Sequence, residues 1–121
     1  MDIKLAKKLL KNISYSQKRN QLSNRPVRKI SLTEQDLIDL FRKQRGKCYW
    51  SKLPLDGECN YITHHPFAIS PERLDNSLGY TKSNTVLCRR IFNLGRMSYS
   101  AADFKLTMKT LKKEIKGTNK K

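Results

Sequence analysis

The residues of this chain best able to do chemistry gather between Pro66 and Arg96. They are the run Ser70-Pro71-Glu72-Arg73-Leu74-Asp75, then Gly79-Tyr80, Asn84, Cys88 and Asn93. Glu72 and Asp75 are oxygen donors of the kind a hard divalent cation takes, and the two asparagines add carboxamides. The setting makes this grouping informative, because 26 Lys and Arg stand against ten Asp and Glu, a formal charge of +16. Carboxylates kept together in a chain that repels cations almost everywhere else point to a metal ion facing a phosphate. Alternation along a strand puts Arg73 and Asp75 on one face and Glu72 on the other, so both carboxylates reach one ion only if the strand ends at Pro71. Taken singly, each residue has a plainer reading: Glu72 and Arg73 as a surface ion pair, Asn84 and Asn93 as turn and cap residues, His64-His65 as an exposed loop. Their joint order favours chemistry.

These residues need elements to hold them. Phe67 to Leu74 reads as a strand that Pro71 confines to an edge or bulge, and Asp75 to Ser83 as the connecting loop. Asn84 to Cys88 reads as a second strand, and Arg89 onward as a helix that Gly95 ends early. Upstream, Thr33 and Asp36 form a capping-box-like pair at the start of a helix bearing Leu37, Leu40 and Phe41, which Gly46 stops. Cys48 to Ser51 reads as extended, with its aromatics packed on that helix, and Pro54 to Gly57 as a turn. The N-terminus carries a short basic amphipathic helix over residues 2–13, with Leu5, Leu9, Leu10 and Ile13 on one face and Asp2 at the favourable end. Residues 14–30 read as an irregular cationic segment that orders on a nucleic acid, Pro26 blocking helix continuation. A last helix from Ser100, with Asp103 three residues on, buries Phe104, Met108, Leu111 and Ile115 until Gly117.

Length and composition set the outer bounds. A chain of 121 residues builds one domain with a modest core. Residues 1–30 hold nine basic side chains and one acid, and residues 101–121 hold seven and two, so the positive field covers both ends and attracts polyanions. Composition alone fits a ribosomal-type or histone-like binder. Three cysteines, Cys48, Cys59 and Cys88, are too few for a disulfide framework, so reduced thiols and an intracellular location are expected. No apolar run reaches bilayer length and no secretory signal is visible, so no membrane partner is expected.

With those residues in place, the stretch resembles the ββα-metal core of HNH-family endonucleases. It is most similar to a branch whose motif runs Ser-x-(Asp or Glu)-Arg-(Ile or Leu)-Asp, then Gly-Tyr, Asn, Cys and Asn. The lead-in Gln44-Arg45-Gly46-Lys47-Cys48-Tyr49-Trp50-Ser51, followed by Leu53-Pro54-Leu55, is similar too, so the resemblance spans about residues 33 to 96. It implies an α+β fold: a small single domain with an HNH-like core at 31–99, between a basic N-terminal helix and arm at 1–30 and a basic C-terminal helix at 100–121.

The resemblance also implies roles. Glu72 and Asn93 match the metal ligands, Asn84 the residue that pins the loop, and Arg73 the place where family members carry a general-base His. A guanidinium cannot accept a proton from water, so Arg73 is expected to clamp the scissile phosphate. The base is then Asp75, His64 or His65; alternatively Asp75 is the ligand and Glu72 supports it. The implied function is hydrolysis of DNA phosphodiesters, by cleavage or nicking, with a divalent cation, Mg²⁺ or Mn²⁺, and with RNA as an alternative substrate. A phage, viral or mobile-element nuclease, monomeric or homodimeric, fits the size and the basic arms. The alternatives are a catalytically silent binder and a dimeric structure-specific nuclease. Lys7, Lys8, Lys11, Arg25, Arg28, Lys29, Arg89, Arg90 and Arg96 are the expected nucleic-acid contacts. Family members often staple this core with two Cys-x-x-Cys zinc pairs, but here only Cys48-x-x-Ser51 and Cys88-x-x-Ile91 remain, so no structural zinc is expected.

Overall fold

The computed structural model describes residues 1–119. Its centre is a two-stranded antiparallel hairpin, β1 (Ile69–Arg73) and β2 (Thr85–Arg89), in which Pro71 lies opposite Leu87 and Glu72 opposite Val86. In so small a sheet each strand is an edge, which is where a proline without an N–H can sit. β2 reads Thr-Val-Leu-Cys and is buried throughout that run, because elements cover both of its faces. It passes directly into the short helix α3 (Arg90–Arg96). Strand, strand and helix therefore follow in the expected order, with β1 beginning at Ile69, since Ala68 N–H is bonded to His65 O in a turn before it.

Two helices back the hairpin. The first, α1 (Ile3–Leu22), starts at Asp2, whose carboxylate accepts the Leu5 N–H at 2.8 Å. It runs nine residues past the expected end at Ile13 and so converts much of the supposed irregular segment into helix. The physical reason lies in the spacing: Leu5, Leu9, Ile13 and Gln17 form one buried stripe, while the Lys, Arg, Asn and Gln between them are tolerated on the outer faces of a helix. Gln17 is buried because its Oε1 accepts the Arg28 N–H at 2.7 Å. Residues 29–31 are ordered as well, since Tyr80 N–H bonds to Lys29 O and Ser31 N–H to Tyr80 O. A Cβ on Gly79 would lie 2.5 Å from Lys29 O, so only glycine permits this approach.

The second helix, α2 (Glu34–Lys43), has the expected capping box between Thr33 and Asp36. Chain reversal follows through Arg45 and Gly46, both at positive φ. The Gln44 carboxamide then joins α2 to the hairpin, accepting from Leu87 N–H and donating to Leu87 O.

Cys48 to Ser51 is a tight turn rather than an extended piece, because Cys48 N–H bonds to Leu53 O and Lys52 N–H to Cys48 O. Trp50 meets Tyr49 and Phe104 edge to face, so it packs on the last helix and not chiefly on α2. That helix, α4 (Ala101–Asn119), buries Phe104 and Met108 but leaves Leu111 46% and Ile115 60% exposed. The expected four-residue stripe is therefore only half used, the hydrophobic core taking in this helix through Phe104 and Met108. No helix among the described residues is long and apolar enough to cross a membrane.

Candidate active site

One buried carboxamide organises the loop between the strands. Asn84 Oδ1 accepts the Asp75 N–H at 2.9 Å, and its Nδ2 donates to Asp75 O and Gly79 O at 3.1 and 2.9 Å. Arg73 works on the same loop: its Nη1 donates to Asn76 O and Leu78 O, and its guanidinium lies over the Tyr80 ring. Asp75 is exposed, and its Oδ1 accepts from the Ser77 hydroxyl and N–H at 2.6 and 2.9 Å. Those bonds hold its carboxyl below the usual carboxylate range, which makes it a weak proton acceptor.

Glu72 faces inward. It is 5% exposed, Oε2 accepting from the Trp50 indole N–H at 2.5 Å and Oε1 from Arg96 Nη1 at 3.1 Å. Burial pushes its carboxyl upward, against the Trp50 hydrogen bond and the Arg96 charge, which pull it down. Cys88 donates toward the same carboxylate, and burial together with that negative charge drives its thiol well above the ordinary value, keeping it protonated. Cys48 and Cys88 are both fully buried free thiols.

Arg96 must be moved from the expected nucleic-acid contacts to the interior. It is 1% exposed and donates to Glu72, Arg73 O, Leu74 O and Tyr99 O, with its guanidinium 5.3 Å from the centre of the Trp50 ring. A side chain so enclosed has no surface to offer a phosphate. Its work is to tie α3 to the end of β1, the point where the chain leaves for the Asp75 loop.

Asn93 projects from α3 to β1, and its Nδ2 donates to Ser70 Oγ at 2.8 Å. The bond spends the amide nitrogen and leaves Oδ1 without a protein donor. Asn93 and Ser70 line a cleft of about 560 Å³ whose other walls are α1 and residues 60–65. The 60–65 wall is anchored by Asn60, which exchanges two hydrogen bonds with Ile69, 2.8 Å from its N–H and 2.9 Å to its carbonyl. His64, His65 and Arg90 also border this space. His65 Nδ1 accepts the Phe67 N–H at 3.0 Å, so a neutral His65 ring carries its proton on Nε2. The His64 ring has no protein partner, and its backbone, at φ +57°, accepts from Arg90 through the carbonyl.

The structure thus brings Asn93, Ser70, His64, His65 and Arg90 to one cleft. Glu72 is buried on β1 and does not line that cleft, and Asp75 stands out on the loop. Lys7 and Lys11 stand on the outer face of α1, Lys8 at the cleft, and Arg25 and Lys29 on the exposed segment after the helix. Arg28 is half-buried through a bond to Asn76 O, and Arg89 through bonds to Pro54 O. Sequence reasoning passed over Asn12, Ser16, Arg19 and Asn60, which border the same cleft. The first three share a helical face with Lys8 and become visible as a set once the helix is carried to Leu22.

Among the described residues no three His, Cys, Asp or Glu side chains converge on a point. The donors lining the cleft are nevertheless of the right kind for a hard cation, the free Asn93 Oδ1 and Ser70 Oγ, while the Glu72 carboxylate two residues along the strand is buried with both oxygens engaged.

No family model and no curated protein sequence matches the chain. Among solved structures it is similar to the rare-cutting HNH restriction endonuclease PacI, with a TM-score of 0.68 and 16% identity, over 94% of this chain and 81% of that one. The likeness establishes the α+β, HNH-like fold and takes in nearly the whole chain, helices included.

Proposed function

We propose that this chain is an HNH-type endonuclease that hydrolyses DNA phosphodiesters with the help of a divalent metal ion. The observation that carries the reading is the cleft in which Asn93, with its Oδ1 free, meets two histidines and a basic wall, on a fold like that of a DNA-cutting enzyme. Asn93 Oδ1 would hold the ion, Mg²⁺ or Mn²⁺, and Glu72 would join it only by giving up its bond to Trp50 or Arg96; the ion would supply Lewis-acid stabilisation of charge on the phosphate. Arg90 attracts the substrate backbone at the cleft. His64 is the best-placed general base, since Asp75 is held ionised by Ser77 and a neutral His65 keeps its proton on Nε2. His65 can instead donate a hydrogen bond from that nitrogen.

The decisive experiment is incubation with supercoiled plasmid, with and without Mg²⁺ or Mn²⁺, on the parent protein and on Asn93→Ala and His64→Ala. Metal-dependent nicking or linearisation by the parent is expected. Asn93→Ala should lose it while still binding DNA, and His64→Ala should cut far more slowly while binding DNA as the parent does.

A second reading, a binder that does not cut, is favoured by one observation: both oxygens of Glu72 are already taken, by Trp50 and Arg96. A parent protein that shifts DNA in a gel but leaves plasmid intact under every divalent ion would establish it.

A further inference from the structure

The helix α1 carries basic and hydrogen-bonding side chains along its whole length, but they do not share a direction. Taking 100° per residue, Leu5, Leu9, Ile13 and Gln17 form the buried sector. Lys7, Lys11 and Lys18 point the opposite way and are exposed. Lys8, Asn12, Ser16 and Arg19 fall in a third sector at the edge of the buried one, and all four border the cleft that holds Asn93. This wall is fixed in place by the core contacts of α1 and by the Gln17 bond to Arg28 N–H. Lys8 is also placed by the protein itself, its Nζ lying 5.5 Å from the centre of the half-exposed Tyr61 ring across the cleft mouth.

We infer that α1 is the second wall of the DNA-binding cleft, Lys8 and Arg19 each holding a backbone phosphate while Asn12 and Ser16 donate hydrogen bonds to the backbone between them. This rests on the reading that the chain binds DNA and adds which residues form the track. Eleven residues of helix separate Lys8 from Arg19, a rise of about 16 Å. One strand of duplex places a phosphate every ~3.4 Å of axis, so the track spans about five nucleotides. The polar pair fills that interval, where a merely solvated face would have no reason to line a concave space. The outward lysines, by contrast, add to the long-range field without meeting the strand in the cleft.

The test compares faces at equal charge. Affinity for a DNA duplex is measured across a salt series for the parent, for Lys8→Gln with Arg19→Gln, for Lys7→Gln with Lys18→Gln, and for Asn12→Ala with Ser16→Ala, with circular dichroism confirming that each is helical and folded. The cleft-face pair should reduce the slope of log affinity against log salt by about 1.8, two phosphates at ~0.9 each, and the outward pair should leave the slope as in the parent. The Asn12 and Ser16 variant should bind about tenfold more weakly with an unchanged slope, because uncharged groups release no counterions. Equal slope changes on the two faces, or a larger one on the outward face, would overturn the inference while leaving DNA binding intact. A parent protein that binds no DNA at any salt overturns the functional reading and this inference with it.

Discussion

Replacing Arg96 by Met removes a buried charge while keeping much of its volume, and the structure sets the size of the effect. Four acceptors lose a donor: Glu72 Oε1, Arg73 O, Leu74 O and Tyr99 O. The most serious loss is at Glu72, a carboxylate then left in the interior with only Trp50 and Cys88 as partners. Breaking one side of a buried pair costs about 3–5 kcal/mol. For a domain of this size that corresponds to a fall in Tm of about 10–20 °C. The loss must also depend on pH. Burial already raises the folded-state pKa of Glu72, so the folded form keeps the proton longer than the unfolded form and the contribution of this group to stability falls as pH rises through the folded value. Without Arg96 nothing positive opposes burial, so the folded pKa climbs further and the range of pH over which stability is lost extends upward. Arg96→Met should therefore be mildly destabilised at pH 5 and severely at pH 8 in denaturant unfolding. Adding Glu72→Gln should remove most of the difference between the two pH values. An Arg96→Met protein equally stable at both, or a double variant that keeps the full pH dependence, would refute the argument.

Asn84→Ala removes three hydrogen bonds to the Asp75 loop and should cost about 3 kcal/mol, with amide exchange accelerated over residues 75–80 before the strands open. Gly79→Ala forces a Cβ against Lys29 O, so exchange at the Tyr80 and Ser31 amides should rise together while α2 keeps its protection. With Cys48 and Cys88 buried and each lacking the second cysteine of a pair, prolonged treatment with a zinc chelator should leave circular dichroism and Tm unchanged; a fold lost with stoichiometric zinc would show the opposite.

Local chemistry was legible in the amino-acid sequence wherever a signal and its partner lie a few residues apart. The Thr33–Asp36 capping box, the Asp2 cap, the strand-loop-strand-helix order from Ile69 to Arg96 and the nine-residue step from Asn84 to Asn93 all depend on backbone geometry that neighbours can specify. The length of α1 was legible in principle too, since Gln17 continues the Leu5, Leu9, Ile13 spacing, but a polar residue at a core position is recognised only when its partner, Arg28 N–H, is known.

Tertiary structure alone decided what each charged side chain does. Glu72, Arg73 and Arg96 are all ionisable residues of one short region, yet one is sealed inside, one closes a loop and one ties a helix to a strand. Nothing in their spacing separates these fates, because they depend on Trp50, 22 residues before Glu72, and on α4 arriving to cover it through Phe104. The cost of burying a charge is settled by whatever surrounds it in three dimensions. For the same reason the cleft was invisible in sequence: its walls come from α1, from residues 60–65 and from α3, which meet only when the hydrophobic core draws the helices onto the hairpin.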